Sequence, residues 1–263
     1  MSTAHSGSGD VSRSMELLWR GKEPTGRGPR PGLSLEGIVT AAVTLADREG
    51  LEALSMRKVA AELGVGTMSL YRYVPGKGEL LDLMLDHVVG TGDEHAVHLD
   101  GLAWREGLEA IAEGTWELYT AHPWLLQVNQ SRPVLGPGAM ASLDHTLRLL
   151  DGLGLTTRER VGMILTVEHF VAGSARTHVL QQRVAEETGV SDEEFWAAQA
   201  PAMETAMASG AFPQVAGLDE QAFAIGGLEM MRFGLGPLLD GLAGIVAAAA
   251  DRPQPPQAAP GCD

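Results

Sequence analysis

An all-α fold is what this sequence predicts: a small N-terminal helix-turn-helix unit joined by a linking helix to a larger helical domain. Three observations predict it. Apolar residues make up 44% of the 263 residues, enough for a sizeable core. Alanine and leucine dominate that set, while Phe and Tyr number only five and three, which favours helices over strands. From Leu35 to Ala249 apolar residues recur at helical spacing between breaks rich in Gly and Pro.

Taken in order, residues 1–33 are rich in Ser, Gly, Pro and Arg, and Arg20–Gly32 reads RGKEPTGRGPRPG. That composition predicts a flexible basic N-terminal arm. A first helix is expected over Leu35–Arg48, capped by Ser34, with Ile38, Ala42, Leu45 and Ala46 facing inward and Gly50 ending it. Ser55 caps a second helix whose inward residues are Met56, Val59, Ala60 and Leu63. Gly64-Val65-Gly66 makes a tight turn, and Thr67 caps a short third helix that reaches Tyr73. Pro75-Gly76 closes it. A fourth helix, Lys77–Val89, carries Leu80, Leu81, Met84, Leu85 and Val88. Residues 34–89 are thus expected to form one domain and residues 93–250 a second. Helices in the second are expected over Leu102–Ala121, Gly138–Leu153, Thr157–Glu187, Asp192–Ser209 and Asp219–Ala249, with Pro237 kinking or interrupting the last. Residues 251–263 read as a disordered tail.

The net charge of −15 is unevenly spread. Residues 1–78 hold ten Lys or Arg against eight Asp or Glu, and residues 79–263 hold nine against twenty-six. An acidic rear repels nucleic acid and presents the basic front; it equally serves solubility alone. Cys262 is the single cysteine, so neither an intrachain disulfide nor a cysteine metal cluster is possible. The first residues lack a signal-peptide stretch, and no run of 18 apolar residues is evident. A cytoplasmic protein with no membrane partner is expected. His87, Asp93, Glu94, His95, His98 and Asp100 cluster, but too loosely for a metal site. No nucleophile motif and no phosphate-binding loop is present. Neither a metal, nor a cofactor, nor an enzyme is expected.

The informative stretch is Ser55–Lys77, SMRKVAAELGVGTMSLYRYVPGK. Two short helices around a Gly-containing turn form a helix-turn-helix, whose second helix enters the major groove by its N-terminal end. With Leu70 as the inward anchor, Thr67, Met68, Tyr71, Arg72 and Tyr73 face outward. Arg72 suits guanine edges or phosphate, and Thr67 and Met68 suit base methyls. Ser69, Tyr71 and Tyr73 offer hydroxyls to the backbone, while Lys77 and Arg57 lie within reach of phosphate or base. Spacing alone leaves a second reading equally open, since helical hairpins with a Gly turn also occur in proteins that bind nothing.

Leu35–Val89 closely resembles the N-terminal domain of the tetracycline-repressor family. The likeness is carried by Met56-Arg57, by the Ala60-Ala61-Glu62-Leu63-Gly64-Val65 turn, by Ser69-Leu70-Tyr71, and by Lys77 with Leu80-Leu81. It implies DNA contacts at the aligned positions: Arg57, Thr67, Met68, Tyr71, Arg72 and Tyr73 at the major groove, Ser69 and Lys77 at phosphate. Thr67-Met68 replaces the Gln-Pro of the tetracycline repressor itself, which implies a different operator. Arg27 and Arg30 are read either as a minor-groove arm or as a plain leader.

The rear is similar to the same repressor's regulatory domain, more weakly, through Trp104–Trp116, His122-Pro123 and Phe223–Leu235. The resemblance implies a homodimer through a four-helix interface built from Thr157–Glu187 and Asp219–Pro237. Ile225, Leu228, Met231 and Leu235 repeat at helical spacing, beside Gly226, Gly227 and Gly234. That stripe suits a dimer interface and also suits monomer core. Trp116, Tyr119, Trp124, Gln127, Asn129, Met140, His145, Met163, His169, Phe170 and Arg176 are candidate contacts for a small effector of unknown identity. Any one of them reads equally as core or surface, and His169 as a structural histidine. Where the tetracycline-binding member holds its drug and magnesium, this chain has Asp93, Ile111, Thr115 and Asn129, so that site is not implied here. The expected function is a sequence-specific DNA-binding transcriptional regulator, a repressor released from operator DNA by an effector. An activator of the same fold and a helical interaction protein are the alternatives.

Overall fold

The computed structural model describes residues 4–20, 33–90, 99, 101–219, 222 and 225–252. Among them are eleven α-helices and no strand beyond one isolated bridge between His5 and Asn129. The front comprises α2 (Leu35–Glu49), α3 (Met56–Glu62) and α4 (Thr67–Tyr71), and α5 (Lys77–Gly90) leads to the rear. The rear comprises α6 (Trp104–Ala121), a 3₁₀ segment Pro123–Gln127, α7 (Pro137–Leu149), α8 (Thr157–Thr188), α9 (Asp192–Ala208), α10 (Pro213–Ala216) and α11 (Gly227–Ala250).

Local chemistry sets the boundaries of the front. Ser34 Oγ accepts from Gly37 N at 3.0 Å and Ser55 Oγ from Lys58 N at 3.3 Å, each satisfying an orphan amide of its helix. Gly50 adopts φ +80° and Gly64 φ +64°, left-handed conformations that end α2 and turn α3 toward α4. The cap of α4 differs from expectation. Gly66 occupies the N-cap and Thr67 is the first helical residue, because the turn uses its full length before the helix begins. Ile38, Val59, Ala60, Leu70 and Val74 are completely enclosed and join α2, α3, α4 and α5 in one core.

In the rear, α8 packs most extensively on α6 and α11. Met163, Val167, Val171 and Ala175 of α8 meet Leu108, Ala112 and Trp116 of α6 and Met231, Leu235 and Leu239 of α11. A Cβ on Gly234 would lie 2.6 Å from Phe170 Cζ, and one on Gly227 2.6 Å from His178 Nδ1. Those glycines therefore serve approach within the chain. Met231 and Leu235 of the predicted stripe are likewise buried in the chain's own core. The apolar surface left exposed lies elsewhere on the same helices. Val161, Leu165, Leu180 and Val184 of α8 and Met230, Phe233 and Ile245 of α11 are exposed.

Other expectations need correction. The flexible arm over 1–33 does not hold for residues 4–20. They contain α1 (Val11–Arg20), which buries Ser14 and Leu17 against α5. Asp10 Oδ1 accepts from Arg13 N at 3.1 Å at its start, and buried partners on α5 hold its inner face. Arg27 and Arg30 lie outside the described residues. The disordered tail does not begin at 251: Arg252 pairs with Glu159. Pro237 does not interrupt α11, which continues to Ala250 with Leu235, Leu239 and Leu242 packed inward and Pro237 on the outer face. That helix is long and apolar enough to cross a membrane by composition, although the sequence reading finds no such run. In this fold it lies along α8. Of the loose acidic and histidine cluster, only His87 is among the described residues.

Candidate DNA interface and effector site

The front presents one polar helical face. Leu70 and Val74 anchor α4 inward. Thr67 with Tyr71, and Met68 with Arg72, then stack at i, i+4 on the outer side. Met68 is 77% exposed and Tyr71 44%, high for side chains with so much apolar surface in a well-packed unit. Arg57 on α3 and Arg72 after α4 are exposed, and among the described residues neither has an ion pair. Neighbouring cations differ. Arg48 pairs with Glu49 and Glu62 at 3.0 Å each, and Lys58 pairs with Glu49 at 2.7 Å. The hydrogen bonds from Arg48 raise its pKa further, while Lys58 holds Glu49 and Arg48 holds Glu62 below the usual carboxylate range. Intramolecular carboxylates thus occupy the charges at the edge and leave the two guanidiniums beside the reading helix unclaimed. Ser69 and Tyr73 are half-buried. Lys77 Nζ donates to Leu51 O at 3.4 Å, and burial lowers its pKa.

In the rear, α6, α8 and the 3₁₀ segment bring several candidates together. Trp116 and Tyr119 are buried on α6. Trp116 stacks on His178 with ring centroids 5.2 Å apart. Burial, with Glu168 nearby, pushes the Tyr119 hydroxyl up to about 12, so it remains a proton donor at neutral pH. Arg176 Nη2 donates to Leu126 O at 3.2 Å. With its amide oxygen turned toward the guanidinium, Gln127 accepts from Arg183 at 2.7 and 2.9 Å. Phe170 is half-buried and faces α11 at Gly234. The remaining candidates divide between core and surface. Met163 is a core residue, Trp124 is fully enclosed, and His145 is half-buried on α7. Met140 and His169 are exposed on α7 and α8, so His169 is not the buried structural histidine of the alternative reading. Asn129 is exposed, with Oδ1 accepting from Ser131 N at 2.9 Å.

Two matches cover these two regions. Residues 38–84 match the model of bacterial regulatory proteins of the tetR family, and residues 99–246 match that of the tetracyclin repressor-like C-terminal domain. The HTH-type transcriptional repressor DrrR1 of Streptomyces coeruleorubidus is 53% identical over 247 residues, 94% of this chain and 90% of that one. The chain belongs to the tetR family. This tetR-family protein is a DNA-binding transcriptional repressor. It is similar also to the class C tetracycline repressor of Escherichia coli, at 26% identity over 76% of this chain and 92% of that one. Among solved structures it resembles Streptomyces coelicolor ActR in complex with actinorhodin, with a TM-score of 0.65, 26% identity, and coverage of 81% of this chain and 97% of that one.

Sequence reasoning missed two features of this tetR-family chain. His178 and Arg183 follow Arg176 on α8, two and seven residues further on, and no local pattern in α8 marks them as facing α6 and the 3₁₀ segment. The other is Asp47 of α2, which accepts from His122 Nδ1 at 2.8 Å and Trp124 Nε1 at 2.7 Å and so ties the front to the 3₁₀ segment. No local pattern signals a contact across 75 residues.

Proposed function

We propose that two copies of the chain pair through α8 and α11 and hold their α4 helices in successive major-groove turns of one operator. The observation that carries this reading is the outer face of α4, where Thr67, Met68, Tyr71 and Arg72 project beside the unclaimed Arg57. In the proposed arrangement Arg57, Thr67, Met68, Tyr71, Arg72 and Tyr73 read the groove, and Ser69 and Lys77 hold phosphate. A helix-turn-helix dimer places its reading helices ~34–36 Å apart or at multiples of that distance. The apolar residues exposed on α8 and α11 support pairing, because a lone soluble chain seldom leaves such a patch uncovered. Gly162 and Gly173 on α8 have open space around them and permit close helix approach. Residues 34–89 act as the reading unit, residues 93–250 as the sensor, and the protein works in the cytoplasm as a regulator rather than an enzyme.

The effector in this reading is a planar aromatic molecule with an anionic group. Trp116 and His178 supply ring faces, Tyr119 and Gln127 supply hydrogen bonds, and Arg176 and Arg183 supply charge. The similarity to ActR, solved with actinorhodin, supports an aromatic class. Binding in the rear displaces α5 and shifts the heads from operator spacing, because the effector prefers that second state. The test has two steps. Wild-type protein is used to select duplexes from a random-sequence pool at fixed salt, and the Tyr71→Ala, Arg72→Ala double variant is then measured on the selected duplex. Specific binding lost in the variant, with helical content unchanged, is expected. Equal binding by both proteins contradicts the reading. A panel of planar aromatic acids is then titrated into the wild-type complex and a Trp116→Ala complex. Release of wild type at concentrations that leave Trp116→Ala bound is expected, and equal release refutes the site.

A further inference from the structure

The helix between reading unit and sensor carries three buried carboxylates. Glu79, Asp82 and Asp86 are each under a tenth exposed and lie on α5 at i, i+3 and i+7. A buried carboxylate is costly without hydrogen bonds. Asp86 obtains them from the first turn of α7, where Gly138 N donates at 3.1 Å and Ala139 N at 2.9 Å. Glu79 and Asp82 obtain theirs from the N-terminal segment. Asp82 accepts from Gly7 N at 2.8 Å, Ser14 Oγ at 2.7 Å and Ser6 Oγ at 3.2 Å, and Glu79 accepts from Asp10 N at 2.7 Å. The backbones nearly touch here: a Cβ on Gly78 would lie 2.5 Å from Gly9 N. Gly7 turns the segment with φ +69°.

The same segment grips the sensor with its other edge. Ser6 N donates to Asn129 O at 3.1 Å and Asn129 N to Ala4 O at 2.9 Å. Val134 N donates to Ser6 Oγ at 3.1 Å, and Trp19 Nε1 to Leu135 O at 3.1 Å. Ser6 therefore joins α5 and the 129–135 loop directly. That loop begins two residues after Gln127, which faces Arg183 in the proposed effector site. Residues 4–20 lie outside both matched regions, 38–84 and 99–246.

We propose that residues 4–20 are a transmission strap, which locks α5 to the 129–135 loop through Ser6, holds the reading heads at operator spacing, and relays movement of that loop to α5. The proposal rests on the reading above that α5 sets the separation of the heads. A loop shift at Asn129 then acts on Asp82 through one side chain, alongside the direct contact of α5 with α7 at Asp86.

The test compares wild type with two variants, deletion of residues 1–20 and Ser6→Pro, which lacks both the amide proton and the hydroxyl of the bridge. All carry Cys262→Ser and a spin label at Ala61→Cys on the exposed side of α3, for measuring the distance between heads in the dimer. Operator affinity is measured on the duplex selected by the wild type. The strap predicts a broadened or shifted head separation in both variants and a roughly 5–150-fold loss of affinity, the span of ordinary coupling energies. Unchanged separation and unchanged affinity in the deletion variant overturn it. If the deletion variant loses its helical signal, Ser6→Pro decides on the same two readouts, because its bridge is absent by chemistry. Failure of the wild type to select any duplex marks failure of the operator reading instead, and the head separation still reports on the strap.

Discussion

The front and rear of this molecule finish their surfaces differently. The front unit buries Leu45, Val59, Leu70 and Val74 fully or nearly so, and what α4 exposes is mostly hydroxyl, guanidinium and thioether. The rear closes its core equally well around Met163, Met231 and Leu239, yet it leaves Leu165 and Leu180 on α8 and Phe233, 71% exposed, on α11. A self-contained unit with unclaimed cations suits a polyanion. A unit with an apolar face left over suits a second protein surface, and the symmetric choice is another copy of itself. The contrast supports the proposal that the front reads DNA and the rear pairs with a second copy.

The largest effect is expected from breaking the rear face. A Phe233→Asp, Leu165→Asp double variant places charges in the proposed dimer core, where hot-spot losses are about 2–4 kcal/mol each. Light scattering is expected to report a monomer, with operator binding lost although helical content is kept. A variant that stays dimeric assigns the interface elsewhere. Next comes the anchor of the front. Leu70→Ala removes a fully enclosed side chain, and such truncations cost ~2–5 kcal/mol. Thermal unfolding is expected to lose the front first, while the rear remains dimeric. Loss of both together breaks the comparison by showing one cooperative unit.

Smaller still is the effect of a single reading residue. Arg72→Ala is expected to cost ~1–3 kcal/mol of operator binding without lowering Tm. If the affinity loss is uniform across sequences and the salt slope drops by about one, Arg72 holds phosphate rather than a base. The smallest effect concerns the end of the rear. Arg252, with hydrogen bonds from Thr156, holds the Glu159 carboxyl down to about 2. Its folded value lies below its unfolded one, so its stabilisation is present above the ordinary range near 4.5 and is lost as pH falls toward 2. Arg252 is exposed and Glu159 half-buried, so Arg252→Ala is expected to lower stability only slightly at neutral pH, with the difference from wild type vanishing as pH falls through that window. A difference of the same size that persists below about pH 2, where the carboxyl is protonated in both proteins, argues for packing rather than charge.

Much of the fold is legible in the sequence because its signals are local. Ser34 and Ser55 cap helices where hydroxyls precede apolar periodicity, and Gly50 and Gly64 turn where left-handed geometry is required. The anchor Leu70 follows from the short helix alone. The long helix α8 was bounded to within a residue by Thr157 and the Gly189 break. What escapes is tertiary. The ten residues of α1 are too few for independent helix stability, and α1 is held by Asp82 and Leu17 contacts made across more than sixty positions. The stripe Met231–Leu235 has the period of an interface, but period alone does not say whether α8 of the same chain or a second chain covers it. Trp116 and Tyr119 were visible as polar-tipped aromatics on an apolar helix. Their neighbours His178 and Arg183 become part of a group only when α8 lies against α6.

The most direct test of the central claim is a hydroxyl-radical footprint on the selected duplex, read alongside the number of chains bound. Two chains protecting two segments whose centres lie ~34–36 Å apart, or a multiple of that, are predicted. A single protected segment held by one chain contradicts the account.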